Sequence, residues 1–118
     1  HGLLTGSYTG GGITGHLPRL NGDNLVTNLA LIERLRPLAD ARGVTIAQLA
    51  IAWVLAQGPS IVPLVGASQP SRVEAAVTAA SLHLSAADLA EIEAAVPADA
   101  VAGTRYAVPL MALLDSER

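Results

Sequence analysis

The sequence predicts an α/β chain, rich in helix and with one clear strand, that forms the end of a larger parallel α/β domain. Three observations carry this expectation. Four stretches repeat apolar residues at helical spacing, Ile61-Val62-Pro63-Leu64-Val65 is a continuous apolar run bounded by Pro59 and Gly66, and no other stretch can pair with that run. A strand apolar on both faces needs hydrogen-bonding neighbours, so its sheet is incomplete within these residues.

Composition supports this class and excludes several others. The chain has 118 residues, one domain's worth, and is 51% hydrophobic, too apolar for a solvating segment. Aromatics are 3% with no Phe, so Ala, Val, Leu and Ile must fill the core, in the thin layers that suit packed helices. The net charge is −3 and no Arg cluster occurs, which argues against a nucleic-acid partner. All seven basic residues are Arg, so no lysine-dependent step can be built from these residues alone. The absence of Cys removes disulfides, thiolate catalysis and Cys-ligated metals, and fits a reducing, cytoplasmic setting. No apolar run approaches the roughly 18 residues of a spanning helix, so no membrane partner is expected. The opening His1-Gly2-Leu3-Leu4 has no signal-peptide pattern, and a start on His reads as a processed, internal or incompletely read beginning.

The first two dozen residues are glycine-rich, including Gly10-Gly11-Gly12, and read as a short leading segment followed by one long loop. From Asn24 the pattern turns helical, with one stripe at Leu25, Leu29 and Ile32 and another at Leu31, Leu35 and Leu38. Pro37 kinks or ends this helix, and Gly43 closes it. Thr45 followed by Gln48 is a capping box for a helix whose apolar positions are Ile46, Leu49, Ala50, Trp53 and Val54, with Trp53 in the core. The 61–65 strand comes next, with Pro63 removing one ladder donor. A further helix begins with Ser68 or Ser71 as its cap and Pro70 in its first turn, facing Val73, Ala76, Val77 and Ala80 inward. Ser85-Ala86-Ala87-Asp88 caps the last helix, which runs to about Ala95 with Leu89 and Ile92 apolar. The tail is irregular up to a turn near residues 110–114.

Few residue patterns here carry chemistry. Gly10-Gly11-Gly12-Ile13-Thr14-Gly15 matches G-x-G-x-x-G, but no clear strand precedes it and His16-Leu17-Pro18 follows where a helix should open. It reads as a loop. His1, His16 and His83 lie in unrelated settings, so no metal site is expected. Glu91 and Glu93 fall about 200° apart on a helix and form no acid/base pair. No nucleophile elbow joins Ser, His and Asp, which leaves no catalytic residue to name. Arg105-Tyr106 reads either as a cover over a pocket mouth or as a dock for the tail.

The junction Val65-Gly66-Ala67-Ser68-Gln69-Pro70-Ser71-Arg72 is more informative. Gly66 lets backbone approach a ligand, the following helix offers free N–H groups at its positive end, and Arg72 stands about one turn inside. Two readings stand on these residues, an anion cradle and an ordinary helix start with a solvated Arg72.

Several separated patterns together resemble the C-terminal third of the aldo-keto reductases. They are Gly2-Leu3-Leu4-Thr5-Gly6-Ser7-Tyr8, Leu17-Pro18-Arg19-Leu20 through Asp23-Asn24-Leu25, the run from Thr45 to Leu55, the run from Ile61 to Ser68, and Leu84-Ser85 with Gly103-Thr104-Arg105-Tyr106. The T-x-A-Q-L-A-x-A-W helix followed by V-P-x-x-G-A-S is similar above all to the bacterial and potassium-channel β-subunit-like branches. The resemblance implies the C-terminal portion of a (β/α)8 TIM barrel that reduces aldehydes and ketones with NADPH. Residues 1–118 are then a partial domain: the loop after strand seven, helices seven and eight, strand eight at 61–65, and the C-terminal tail.

By the same resemblance, Gly2 and Leu3 lie along the cofactor pyrophosphate, while Gly66, Ala67, Ser68 and Arg72 hold the adenosine phosphate, with Arg72 on the 2′-phosphate. Two departures weaken that set. Ala75 and Ala76 stand where many members carry Glu-Asn facing adenine, and Ser7 stands where many carry Lys. The family's Asp, Tyr, Lys and His tetrad lies on earlier strands, so this chain alone is expected to be inactive. Its expected partners are NADP(H), a small carbonyl substrate only in the complete barrel, and the remaining barrel portion, covalently or as a second chain. The alternative is a non-catalytic binding or assembly module derived from a truncated barrel, and a blander one is an α-rich domain without a nucleotide role.

Overall fold

A computed structural model describes residues 2–5, 8, 14 and 16–114. His1, Ser7, the Gly10-Gly11-Gly12 run and Gly15 lie outside the described residues, and with them the G-x-G-x-x-G match and the Ser7 departure.

Among the described residues six α-helices follow one another: α1 (Gly22–Glu33), α2 (Arg36–Asp40), α3 (Ile46–Ala56), α4 (Pro70–Ala80), α5 (Ala86–Ala95) and α6 (Val108–Met111). The break between α1 and α2 has a local cause. Pro37 has no N–H to give the Glu33 carbonyl, so the last turn of α1 tightens, with the Leu35 N–H returning to Ile32 at 2.9 Å. Arg36 spans the break with a bidentate pair to Glu33, Nε at 2.6 Å and Nη2 at 2.8 Å. Gly43 takes a left-handed φ of +63°, and the Val44 N–H returns to the Ala39 carbonyl at 3.1 Å.

The capping box expected at Thr45 forms, and the cap expected at Ser85 is a capping box as well. Thr45 Oγ1 accepts the Gln48 N–H at 3.2 Å while Gln48 Oε1 accepts the Thr45 N–H at 3.0 Å. At α5, Ser85 and Asp88 do the same. The core gathers Ile32, Leu35, Ala39, Ile46, Leu49 and Ile92, so α1, α2, α3 and α5 all contribute to it. Leu3, Leu82, Leu84 and Trp53 pack around it; Trp53 is half-buried, and its buried Nε1 has no hydrogen-bond partner among the described residues.

Two expectations fail here, for one physical reason. Residues 61–65 are not a strand: the segment has no ladder partner, and among the described residues no strand forms at all. Val62 is 78% exposed and Leu64 98%. A strand exists only against a neighbouring backbone, and these residues supply none. Likewise α4 leaves most of its expected inner face uncovered, with only Ala76 of the four half-buried. Val73, Val77 and Ala80 are exposed, Val77 at 64%, whereas Ala79 on the opposite side is fully buried where α4 packs on α3. Small residues let the two helices approach closely, and the valines are left uncovered. The cap of α4 also differs, because Gln69 occupies that place without a side-chain bond, and neither Ser68 nor Ser71 serves.

Candidate cofactor-binding junction

The segment from Gly66 to Arg72 turns from extended chain into the first turn of α4. Pro70 is the first helical residue, so one of the usual free donors is already absent. Arg72 closes the turn with its own N–H on the Gln69 carbonyl at 3.0 Å. With no side chain capping it, the positive end of α4 remains open to an anion. Ala67, Ser68, Gln69, Pro70, Val73 and Glu74 line an open groove at this point. Gly66 and Arg72 flank it in sequence, both exposed, and a Cβ added at Gly66 would meet nothing within 4 Å. The Arg72 guanidinium makes no ion pair among the described residues. An open helix start, an unpaired guanidinium and an uncrowded glycine form a donor set that fits a phosphate group.

Gly2 and Leu3 are placed elsewhere. Gly2 has a left-handed φ of +83° at the start of the 3-10 turn Leu3–Thr5, and Leu3 packs its side chain against the core beside α3. The Leu3 side chain is partly taken up by that packing. The structure brings Gly66, Ala67, Ser68 and Arg72 to one junction and leaves Gly2 and Leu3 in a separate turn. Ala75 and Ala76 are half-buried, and the Ala75 carbonyl accepts Gln48 Nε2 of α3 at 3.2 Å. Neither alanine offers a polar side chain.

Sequence reasoning did not find a second polar cluster. Asn28, only 1% exposed, uses its amide to join Arg19 and Ala102, and Arg19 Nε donates to the Gly103 carbonyl at 3.0 Å. A signal for it exists. Asn28 stands in the apolar stripe of Leu25, Leu29 and Ile32, where a polar residue must be satisfied inside the core. His16 and His83 are exposed, and among the described residues no cluster of His, Asp and Glu can hold a metal. Glu91 and Glu93 are exposed as well. No helix among the described residues is long and apolar enough to cross a membrane.

Helices gathered on one core, an exposed apolar run at 61–65 and an uncapped helix start after it define a helix-rich portion of a domain with apolar residues left uncovered. The chain belongs to the aldo/keto reductase family, a TIM-barrel family whose description, "Aldo/keto reductase family", matches residues 1–97. It is 39% identical over 105 residues to "Probable aldo-keto reductase 1" of Glycine max, covering 89% of this chain and 30% of that protein. It is 34% identical over 111 residues to "Aldo-keto reductase yakc [NADP(+)]" of Schizosaccharomyces pombe, covering 89% of this chain and 33% of that protein. The chain thus spans about a third of the length of these curated relatives. No solved structure matches it significantly.

Proposed function

We propose that residues 1–118 are the cofactor-clamping C-terminal portion of an NADPH-dependent aldo-keto reductase of the bacterial or potassium-channel β-subunit-like branch, which reduces aldehydes and ketones in the cytoplasm as part of a complete (β/α)8 barrel. One observation carries the reading: the uncovered face of Val62, Leu64, Val73 and Val77, on the segment and helix that should lie against a sheet. In this reading 61–65 becomes strand eight once a neighbouring strand stands beside it, α3 and α4 are helices seven and eight, and residues 96–118 are the tail.

NADPH, when bound, supplies the hydride. The residues of this chain hold and orient it. Arg72 pairs with the 2′-phosphate, Gly66, Ala67 and Ser68 let that group come close to the backbone at the start of α4, and the backbone of Gly2 and Leu3 runs along the pyrophosphate. With Ala75 and Ala76 turned toward α3, adenine gains no polar partner from them. The tetrad comes from other strands, because these residues contain no Lys.

The same uncovered face also favours a second reading, a non-catalytic assembly module. Two measurements separate them. NADPH is expected to raise the melting temperature of the assembled protein more than NADH does, and Arg72→Ala to remove most of an affinity difference of about tenfold or more. Carbonyl reduction is expected from the assembled barrel and not from residues 1–118 alone. Assembly without NADPH binding would replace the reductase reading with the module, and turnover by residues 1–118 alone would overturn the division of labour.

A further inference from the structure

The tail reaches the body of the protein through a stretch with almost no side chain to recognise. Val101 and Ala102 carry small apolar side chains with no polar group to recognise, and Gly103, left-handed beside the Pro18 backbone, is the one local feature of this stretch that prefers a register. Their backbone is nonetheless held at defined atoms. Asn28 Nδ2 donates to the Ala102 carbonyl at 2.9 Å, and Asn28 Oδ1 accepts the Ala102 N–H at 2.8 Å, so one side-chain amide takes both polar groups of one tail residue. The remaining Nδ2 proton goes to the Arg19 carbonyl at 2.9 Å. Arg19 then closes the circle through Nε on the Gly103 carbonyl, and Asn24 Nδ2 secures the Pro18 carbonyl at 3.1 Å.

We infer that Asn28 is a positioning residue that sets the register of the C-terminal tail against α1 and the Pro18–Leu20 turn, and so determines where Arg105 and Tyr106 stand. The reason lies in the pairing. A slip of the tail by one residue presents a neighbouring peptide in the opposite orientation and breaks both Asn28–Ala102 bonds together, leaving a buried amide with two unmet groups. An apolar residue at position 28 would fill the same space but would leave the Ala102 N–H and carbonyl unmet and the register to Gly103 alone. Nothing in the clasp requires a nucleotide.

Amide hydrogen exchange in the intact protein tests this, with Asn28→Asp as the first variant. The introduced carboxylate is near-isosteric and still accepts the Ala102 N–H, but donates to neither carbonyl. Protection at the Ala102 N–H is expected to fall about tenfold or more at neutral pH while Leu49 in α3 keeps its wild-type protection. Acidification should restore part of the Ala102 protection relative to wild type at the same pH, because the protonated carboxyl regains one donor, a return that a mere space-filling role does not produce. Asn28→Ala should lose the tail protection without acid recovery. Unchanged tail protection in Asn28→Asp, a loss that acid does not reverse, or a loss shared equally by Leu49 in both variants would overturn the assignment.

Discussion

Arg42, two residues past α2, donates through Nη2 to the Asp88 carboxylate in the first turn of α5. The other carboxylate oxygen accepts the Ser85 N–H at 2.7 Å and its hydroxyl at 2.8 Å. Arg42 is itself held by Nη1 on the Leu38 carbonyl at 2.8 Å, with Glu91 3.7 Å away. One carboxylate thus caps α5 and ties it to the end of α2.

These contacts, the Ser85 backbone and hydroxyl first and Arg42 after them, lower the Asp88 carboxyl to about 2 from an ordinary 3.8. A carboxyl depressed in the folded state contributes stability that is present above its unfolded value and is lost as the pH falls through 3.8 toward about 2. Asp88→Asn is therefore expected to lower stability at neutral pH and to flatten the acid limb of a denaturation series. An unchanged acid limb in the variant would contradict the linkage.

Gly103 answers two demands at once. Its φ is +79°, and an added Cβ would stand 2.7 Å from Asn24 Nδ2 and 3.1 Å from both the carbonyl carbon and oxygen of Pro18. The Asn24 amide can swing aside, but the Pro18 backbone cannot. Gly103→Ala is expected to destabilise by about 1–3 kcal/mol in chemical denaturation. Gly103→Asn, which tolerates the dihedral but brings the same Cβ, should recover little of that loss.

Thr45 is a separable contribution, because its capping box involves only the first turn of α3. Thr45→Ala is expected to cost about 1 kcal/mol and Thr45→Ser very little. Equal losses in the two variants, measured by thermal unfolding, would show that the methyl group and not the hydroxyl matters.

Leu64 tests the uncovered face. At 98% exposure it contributes no packing here, so Leu64→Asp should change the stability of residues 1–118 by no more than about 0.5 kcal/mol. In the assembled barrel the same charge would be buried without a partner, and association with the remaining strands, followed by co-purification and carbonyl reduction, should fail. A variant that assembles normally would mean that this face is not where the sheet lies.

The candidate junction was readable because its signals are local. Gly66, Ser68, Pro70 and Arg72 lie within seven consecutive residues, and a helix start follows from the order of residues around it. The lining contribution of Gln69 and Glu74 was not, since it depends on how the extended segment approaches α4. The stripe of Leu25, Leu29 and Ile32 signals that Asn28 is buried, but its partners are 9 and 74 residues away, beyond any local pattern.

The helices, the two capping boxes and the Pro37 break follow from the order of residues alone, since each rests on contacts within about one turn of chain. The spacing of the Thr45 helix and the Gly66 junction likewise marked the family. Which face α4 buries, whether 61–65 pairs as a strand, and where the tail docks depend on what stands opposite in space. Val73 and Val77 have an inward pattern but no sheet to meet, so the alanine side takes the contact with α3 instead. Periodicity tells which side of an element is apolar, and only the neighbour supplies the burial and the hydrogen bonds that make one arrangement the stable one.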